Sequence, residues 1–415
     1  MSFEMIMIGV ASLVAIGILL HHPSKTVGIP SLIIFMCVGL VFGNGEFDFV
    51  YDNLELTSFI GGMALNVIVF VGGLNTSTSN IKLAWKEGGT LSSFGILLTT
   101  LFFSGILYFL LDFNYLTCLL FAAVVSSTDA AAVFSILKSK KLKLKENTDT
   151  VLEFESATND PVALLMVVML TDILVSSTGI APSVSSISIL LAQQILFGAI
   201  VGLFLGKLCV MALNHIKLEE YGLIPVFILA CFTITVYVTE VIGGNMLVAV
   251  YIAGVIIGNQ LLRGCEVNKH FFNGLAWLAQ SLMFILIGLQ IFPQNLMQVF
   301  WVSVIPALLL IFVARPLAVQ ICYLPFTKAT WKKRLFISSI GLKGATPIVF
   351  ALIPATAGIE GSIEMIHMVF FVVLFSVLLQ GGAIEPLAKK LGLVQEGKNK
   401  KISAVKVEKE RDCGR

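Results

Sequence analysis

Charge is what this chain lacks most. Asp, Glu, Lys and Arg make up 13% of its 415 residues, about half the roughly 25% of a soluble domain. That scarcity excludes a soluble globular enzyme and a disordered chain. An excess of one sign is missing too. The formal net charge is +2, which leaves no basic footprint for nucleic acid. The seven cysteines contain no CxxC pair, so neither a disulfide framework nor a zinc site is indicated. No Lys or Arg precedes Lys25, so the first apolar stretch lacks the charged leader of a signal peptide. The GxGD stretch that an intramembrane aspartyl protease needs is also absent. What is present is apolarity throughout: 57% hydrophobic residues and a mean hydropathy of +0.95. The chain reads as a polytopic, all-α membrane protein.

A helix needs about 20 apolar residues to cross the hydrocarbon. By that measure thirteen transmembrane helices are expected, at roughly 4–20, 27–43, 57–74, 90–111, 116–137, 149–175, 186–212, 222–239, 245–261, 270–290, 297–323, 335–354 and 364–388. Residues 1–390 form the membrane domain on this reading. Residues 391–415 form a short basic cytoplasmic tail with no room for a second domain. The basic residues support the count: 25 of the 27 Lys and Arg fall in odd-numbered connections or the tail. The positive-inside rule then places the N-terminus outside and the C-terminus in the cytoplasm of a cell (inner) membrane.

The two remaining basic residues, Arg315 and Lys343, lie inside expected spans 11 and 12. Asp129 lies inside span 5, and Glu153, Glu155 and Asp160 in span 6. Intramembrane ionisable groups mark an ion or substrate path by default. At 1.5 Å per residue, Glu155 and Arg315 lie about 9 and 12 Å from the cytoplasmic side, and Asp129 and Lys343 each about 13 Å. Two acid–base pairs at matching depth follow. Asp160, near the midplane, has no basic partner. Helical i,i+4 spacing aligns Glu155 with Asn159 as a brace around Arg315. The same spacing aligns Ser156 with Asp160 as an oxygen site for a hard monovalent cation. Pro161 removes a backbone donor beside that wall. Glu153 is expected at the solvated cytoplasmic mouth. The five histidines (His21, His22, His215, His270 and His367) fall near span ends and are expected to be interfacial.

Two spans carry breaks. Ser126, Ser127 and Thr128 compete for backbone hydrogen bonds in span 5, and Gly341, Gly344 and Pro347 interrupt span 12. Matching interruptions in two halves point to an inverted-repeat transporter with a midplane site. Asp129 would then face exposed N–H ends and Lys343 exposed carbonyl ends.

The stretches STDAAAVF, ESATNDPVALL, ARPLAVQ and GLKGATPIVFAL, in this order and spacing, resemble the cation:proton antiporters of the NhaP type. That family includes the animal sodium/proton exchangers, and its potassium/proton members match most closely. The resemblance implies inverted repeats with two crossing broken helices. It also implies a dimerisation domain plus a six-helix core domain that moves like an elevator, and a homodimer in the lipid bilayer. It assigns Asp160 as the ion- and proton-binding carboxylate, with Ser156 and the Thr128 backbone as further ligands. Asn159 becomes the partner of Asp160, Asp129 the acid of the unwound Thr-Asp stretch, and Glu155 with Arg315 a structural ion pair. Lys343 stands where relatives usually carry Arg, keeping the charge but losing the bidentate fork. No cofactor is expected.

With the site empty, Asp129, Glu155 and Asp160 against Arg315 and Lys343 leave one net negative charge, which one Na+, K+ or proton neutralises. A buried net charge crosses hydrocarbon poorly, so the expectation is electroneutral 1:1 exchange. Calcium is disfavoured at a site with one free acid, while Na+ and K+ both fit. The competing readings are a monovalent cation channel and a proton-coupled transporter of another small solute.

Overall fold

The computed structural model describes residues 31–43, 53–111, 113–129, 142–175, 184–216, 220–261 and 264–395, with isolated positions 12, 15, 133 and 137. The expected span at 4–20, most of 130–141 with its lysine cluster, and the tail beyond 395 lie outside the described residues.

Among the described residues every named element is helical, and eight helices are long and apolar enough to cross a membrane. Four shorter apolar helices, Leu32–Phe42, Tyr115–Val124, Met246–Gln260 and Thr346–Thr356, stand where spans 27–43, 116–137, 245–261 and 335–354 were expected. In chain order the helices are α1 (Ser31–Phe42), α2 (Leu54–Asn75), α3 (Thr78–Thr90), α4 (Ile96–Leu110), α5 (Tyr115–Val124), α6 (Thr148–Val175), α7 (Val184–His215) and α8 (Leu223–Ile242). They continue as α9 (Met246–Gln260), α10 (Cys265–Gln290), α11 (Pro293–Leu309), α12 (Arg315–Cys322), α13 (Trp331–Ser339), α14 (Thr346–Thr356), α15 (Ser362–Phe375) and α16 (Gly382–Lys390). π-helical turns at Leu91–Gly95, Leu310–Ala314 and Ser376–Gly381 join α3 to α4, α11 to α12 and α15 to α16.

Small residues decide which helices touch. α9 packs against α2 and α7, and α10 against α1 and α2. A Cβ on Gly254 would strike the Phe70 carbonyl, and one on Gly288 the Met36 carbonyl. Close backbone approach of this kind is the usual means of holding apolar helices together in lipid. Elsewhere α6 packs on α3 and α5, and α14 on α15, α6 and α2. The outer faces of the helices carry exposed apolar side chains, as Phe94, Phe109, Phe204 and Val241 show. α6 runs unbroken through Pro161, so the proline costs one backbone bond rather than the helix.

At one end of the helices, Leu144 and Val394 form an antiparallel bridge. Lys145 N–H donates to Leu393 O at 2.7 Å and Gln395 N–H to Lys143 O at 2.9 Å. Lys333 Nζ reaches Glu87 at 2.7 Å and the Glu146 carbonyl at 3.0 Å. These contacts lash the starts of α6 and α13 to the ends of α3 and α16. One histidine departs from the interfacial expectation: His367 is buried. Its Nε2 accepts from Phe292 N–H at 3.3 Å, and its Nδ1 lies 2.8 Å from Ile363 O.

Candidate functional site

α5 stops at Val124 and α13 at Ser339, and the two non-helical stretches that follow meet side by side. Asp129 N–H donates to Leu342 O at 2.8 Å, a backbone bond from one break to the other. The helix ends this exposes are met by charge. Lys343 Nζ donates to the carbonyls of Ser126 at 2.7 Å and Ser127 at 2.8 Å, just past the C-terminus of α5, where a cation opposes the helix dipole. The Asp129 carboxylate stands against Gly344, two residues before α14, where a Cβ on Gly344 would coincide with it. Asp129 Oδ2 is also 3.5 Å from Gln280 Nε2 of α10. Lys343 thus meets the end of α5 and Asp129 the approach to α14, each serving the opposite helix end.

Asp160 sits on α6 beside the crossing and is buried at 6% exposure. Ser127 Oγ donates to its Oδ1, and Thr346 Oγ1 lies 3.5 Å from its Oδ2. One hydroxyl from the first break and one from the start of α14 thus face one carboxylate. Ser156, expected to stand with Asp160, instead bonds Thr128 Oγ1 at 3.1 Å. Asn159 also leaves its expected partner. Its Nδ2 donates to Thr128 Oγ1 at 2.5 Å, and its Oδ1 lies 3.3 Å from Ser127 Oγ. The brace around Arg315 therefore consists of Glu155 alone. Arg315 Nη2 and Glu155 Oε1 form an ion pair at 1% and 0% exposure. Gly341 makes room for it, since a Cβ there would sit 3.0 Å from Arg315 Nε. Glu153 is half-buried at the other end of the same turn.

Carboxylate, hydroxyl and amide oxygens from α6 and from the first break converge within one hydrogen-bonded network: Asp160, Ser127, Thr128, Ser156 and Asn159. Such a set can hold one monovalent cation, or one proton on the carboxylate. The described residues hold no group of three or more His, Cys, Asp or Glu side chains suited to a multivalent metal. Ser127 and Thr346 were missed as partners of Asp160, and Gln280 as a neighbour of Asp129. A hydroxyl beside each break was the available signal for the first two.

A multi-pass membrane protein with two helix breaks crossing at a buried carboxylate is the class this architecture defines. Residues 10–390 match the family described as sodium/hydrogen exchanger, transmembrane, and the chain belongs to that family. It is 34% identical over 380 residues to the K(+)/H(+) antiporter NhaP2 of Shewanella oneidensis, covering 91% of this chain and 66% of that protein. The chain thus spans just under two thirds of that relative's length. It is 26% identical over 409 residues to the Na(+)/H(+) antiporter NhaH of Halobacillus aidingensis, covering 94% of this chain and 99% of that protein. The solved sodium proton antiporter MjNhaP1 of Methanocaldococcus jannaschii superposes with a TM-score of 0.81 at 23% identity, over 94% of this chain and 99% of that one. That likeness establishes the shared fold.

Proposed function

We propose that this protein exchanges one monovalent cation, Na+ or K+, for one proton, electroneutrally, with Asp160 as the shared binding group. The observation that carries the reading is the buried carboxylate at the crossing, with one hydroxyl from the first break and one from the start of α14 facing it. Ser156, Thr128 and Asn159 complete the oxygen lining, and Asp129 and Lys343 neutralise the helix ends. Glu155 with Arg315 braces α6 against α12. A cation and a proton compete for Asp160, so loading one expels the other. The loaded site is neutral and crosses, whereas the empty site carries a net charge that does not.

On this reading a core built from α3–α6 and α11–α16 moves like an elevator against a dimerisation domain built from α1, α2 and α7–α10. The protein works as a homodimer in the inner membrane, with its N-terminus outside and its C-terminus in the cytoplasm. The relatives named above as potassium/proton and sodium/proton antiporters support the substrate class.

The test is cation-triggered proton movement in proteoliposomes, read with a pH-sensitive dye. Na+ or K+ is expected to trigger a pH change that clamping the membrane potential leaves unaltered and that Asp160→Asn abolishes. An undiminished signal in Asp160→Asn, or current through single channels, overturns the reading.

A further inference from the structure

The second break lies between two backbone groups that a continuous helix would pair. In an α-helix the N–H of residue i bonds the carbonyl of residue i−4, and for Lys343 that carbonyl belongs to Ser339. Here Lys343 N–H donates to Ser376 Oγ at 2.7 Å. Ser376 Oγ–H donates to Gln380 Oε1 at 2.6 Å. Gln380 Nε2 donates to Ser339 O at 3.0 Å. The two groups are therefore joined through two side chains instead of to each other. Both side chains are buried, Ser376 at 0% and Gln380 at 3% exposure, where an unpartnered backbone group is costly. They come from the π-helical turn Ser376–Gly381; such turns are rare and often sit at functional sites. Their i,i+4 spacing puts them on one face.

We propose that Ser376 and Gln380 act as a positioning pair, a side-chain splice that holds the break of 340–345 open and thereby sets Lys343 over the Ser126 and Ser127 carbonyls. The directions of donation leave no ambiguity. The hydroxyl has one proton, given to Gln380, and so accepts from Lys343. The amide oxygen accepts from Ser376, and the amide nitrogen is left for Ser339. The same backbone that Lys343 Nζ holds carries the Ser127 hydroxyl to Asp160. Displacing Lys343 thus shifts an oxygen at the cation site although neither Ser376 nor Gln380 touches it. Without the pair, Lys343 N–H and Ser339 O lose the side chains that bond them, and the stretch that sets Lys343 over the α5 carbonyls is no longer held. This inference rests on the antiport reading for its functional consequence, but not for its structural one.

The test uses the full chain with S376A, Q380M and the double variant, each read two ways. Backbone hydrogen exchange over 340–346 reports the splice directly, and it is expected to quicken about tenfold in S376A, where the Lys343 amide loses its acceptor, and in Q380M, where that acceptor loses the group that orients it. Transport in proteoliposomes is expected to show an apparent KM for the cation raised about tenfold with the maximal rate changed less than twofold, because positioning at the site is impaired and the fold is kept. The double variant is expected to be no worse than the worse single, since both residues act in one chain. Unchanged exchange over 340–346, or a double variant whose KM rises about a hundredfold as the product of the singles, overturns the proposal. So does a fall in rate with KM unmoved. Should S376A not fold, S376C takes its place, its thiol filling the volume as a weak acceptor. If wild type shows no transport, the antiport reading fails while the exchange data still decide the splice.

Discussion

The two breaks face each other but are held by different chemistry. The first, Val125–Asp129, contains a run of hydroxyl residues and is held by charge: the Lys343 ammonium sits on its carbonyls. The second, 340–345, contains two glycines and is held by neutral groups: the Ser376–Gln380 chain spans it, and glycine backbone makes space for the Asp129 carboxylate. A charge met by two carbonyls is strong and tolerant of geometry, whereas a neutral relay is weaker and depends on each donor being aimed. The first break therefore supplies electrostatic compensation and the second supplies position. Asp160 draws one hydroxyl from the first, Ser127, and one from Thr346, which opens α14 just past the second.

Five substitutions break or sharpen this contrast. Lys343→Met strikes the charged side and is expected to do most. Two buried carbonyls lose their donor, costing about 3 kcal/mol, and transport is lost. Thermal unfolding in detergent and proteoliposome flux both report it. Lys343→Arg restores the charge and with it most of the stability. Gly344→Ala strikes the second break sterically. Its Cβ meets the Asp129 side chain, for about 2 kcal/mol of overpacking, and flux falls with stability largely kept. Gly341→Ala, whose Cβ would sit 3.0 Å from Arg315 Nε, is the milder member of this comparison. A Gly344→Ala variant with full transport would mean that the close approach of Asp129 to α14 has no role in the cycle. The smallest effect belongs outside both breaks. Lys389→Ala removes an i,i+4 ion pair whose lysine is 62% exposed, and no change beyond about 0.5 kcal/mol is expected in unfolding, nor any in flux.

The breaks themselves were legible in the sequence, because Ser126-Ser127-Thr128 and Gly341, Gly344 and Pro347 disfavour a continuous helix on local grounds. Asp160 was legible as the acid left over once the bases had been matched by depth. Its surroundings were not. Ser156 lies on the same helical face as Asp160, and so does Asn159 with Glu155, but i,i+4 spacing only says which side chains share a face. Ser156 and Asn159 both turn to Thr128 across the crossing, while Asp160 takes Ser127 and Thr346. That Lys343 meets the end of α5 and Asp129 the approach to α14 was not legible either, because depth along the membrane says nothing about position across it. His367 sits near a span end by number but is buried against Phe292.

Composition alone made this a membrane protein, since 13% charge cannot cover a soluble surface. The rarity of intramembrane charge singled out its working residues, since such groups survive only where something pairs or uses them. Local backbone preference then determined where two helices break. Which hydroxyls reach Asp160, and which distant serine and glutamine hold the second break, was decided only by tertiary structure. Those partners come from chain segments far apart in sequence, and hydrogen bonds between helices depend on how the helices cross, which no periodicity within one helix encodes.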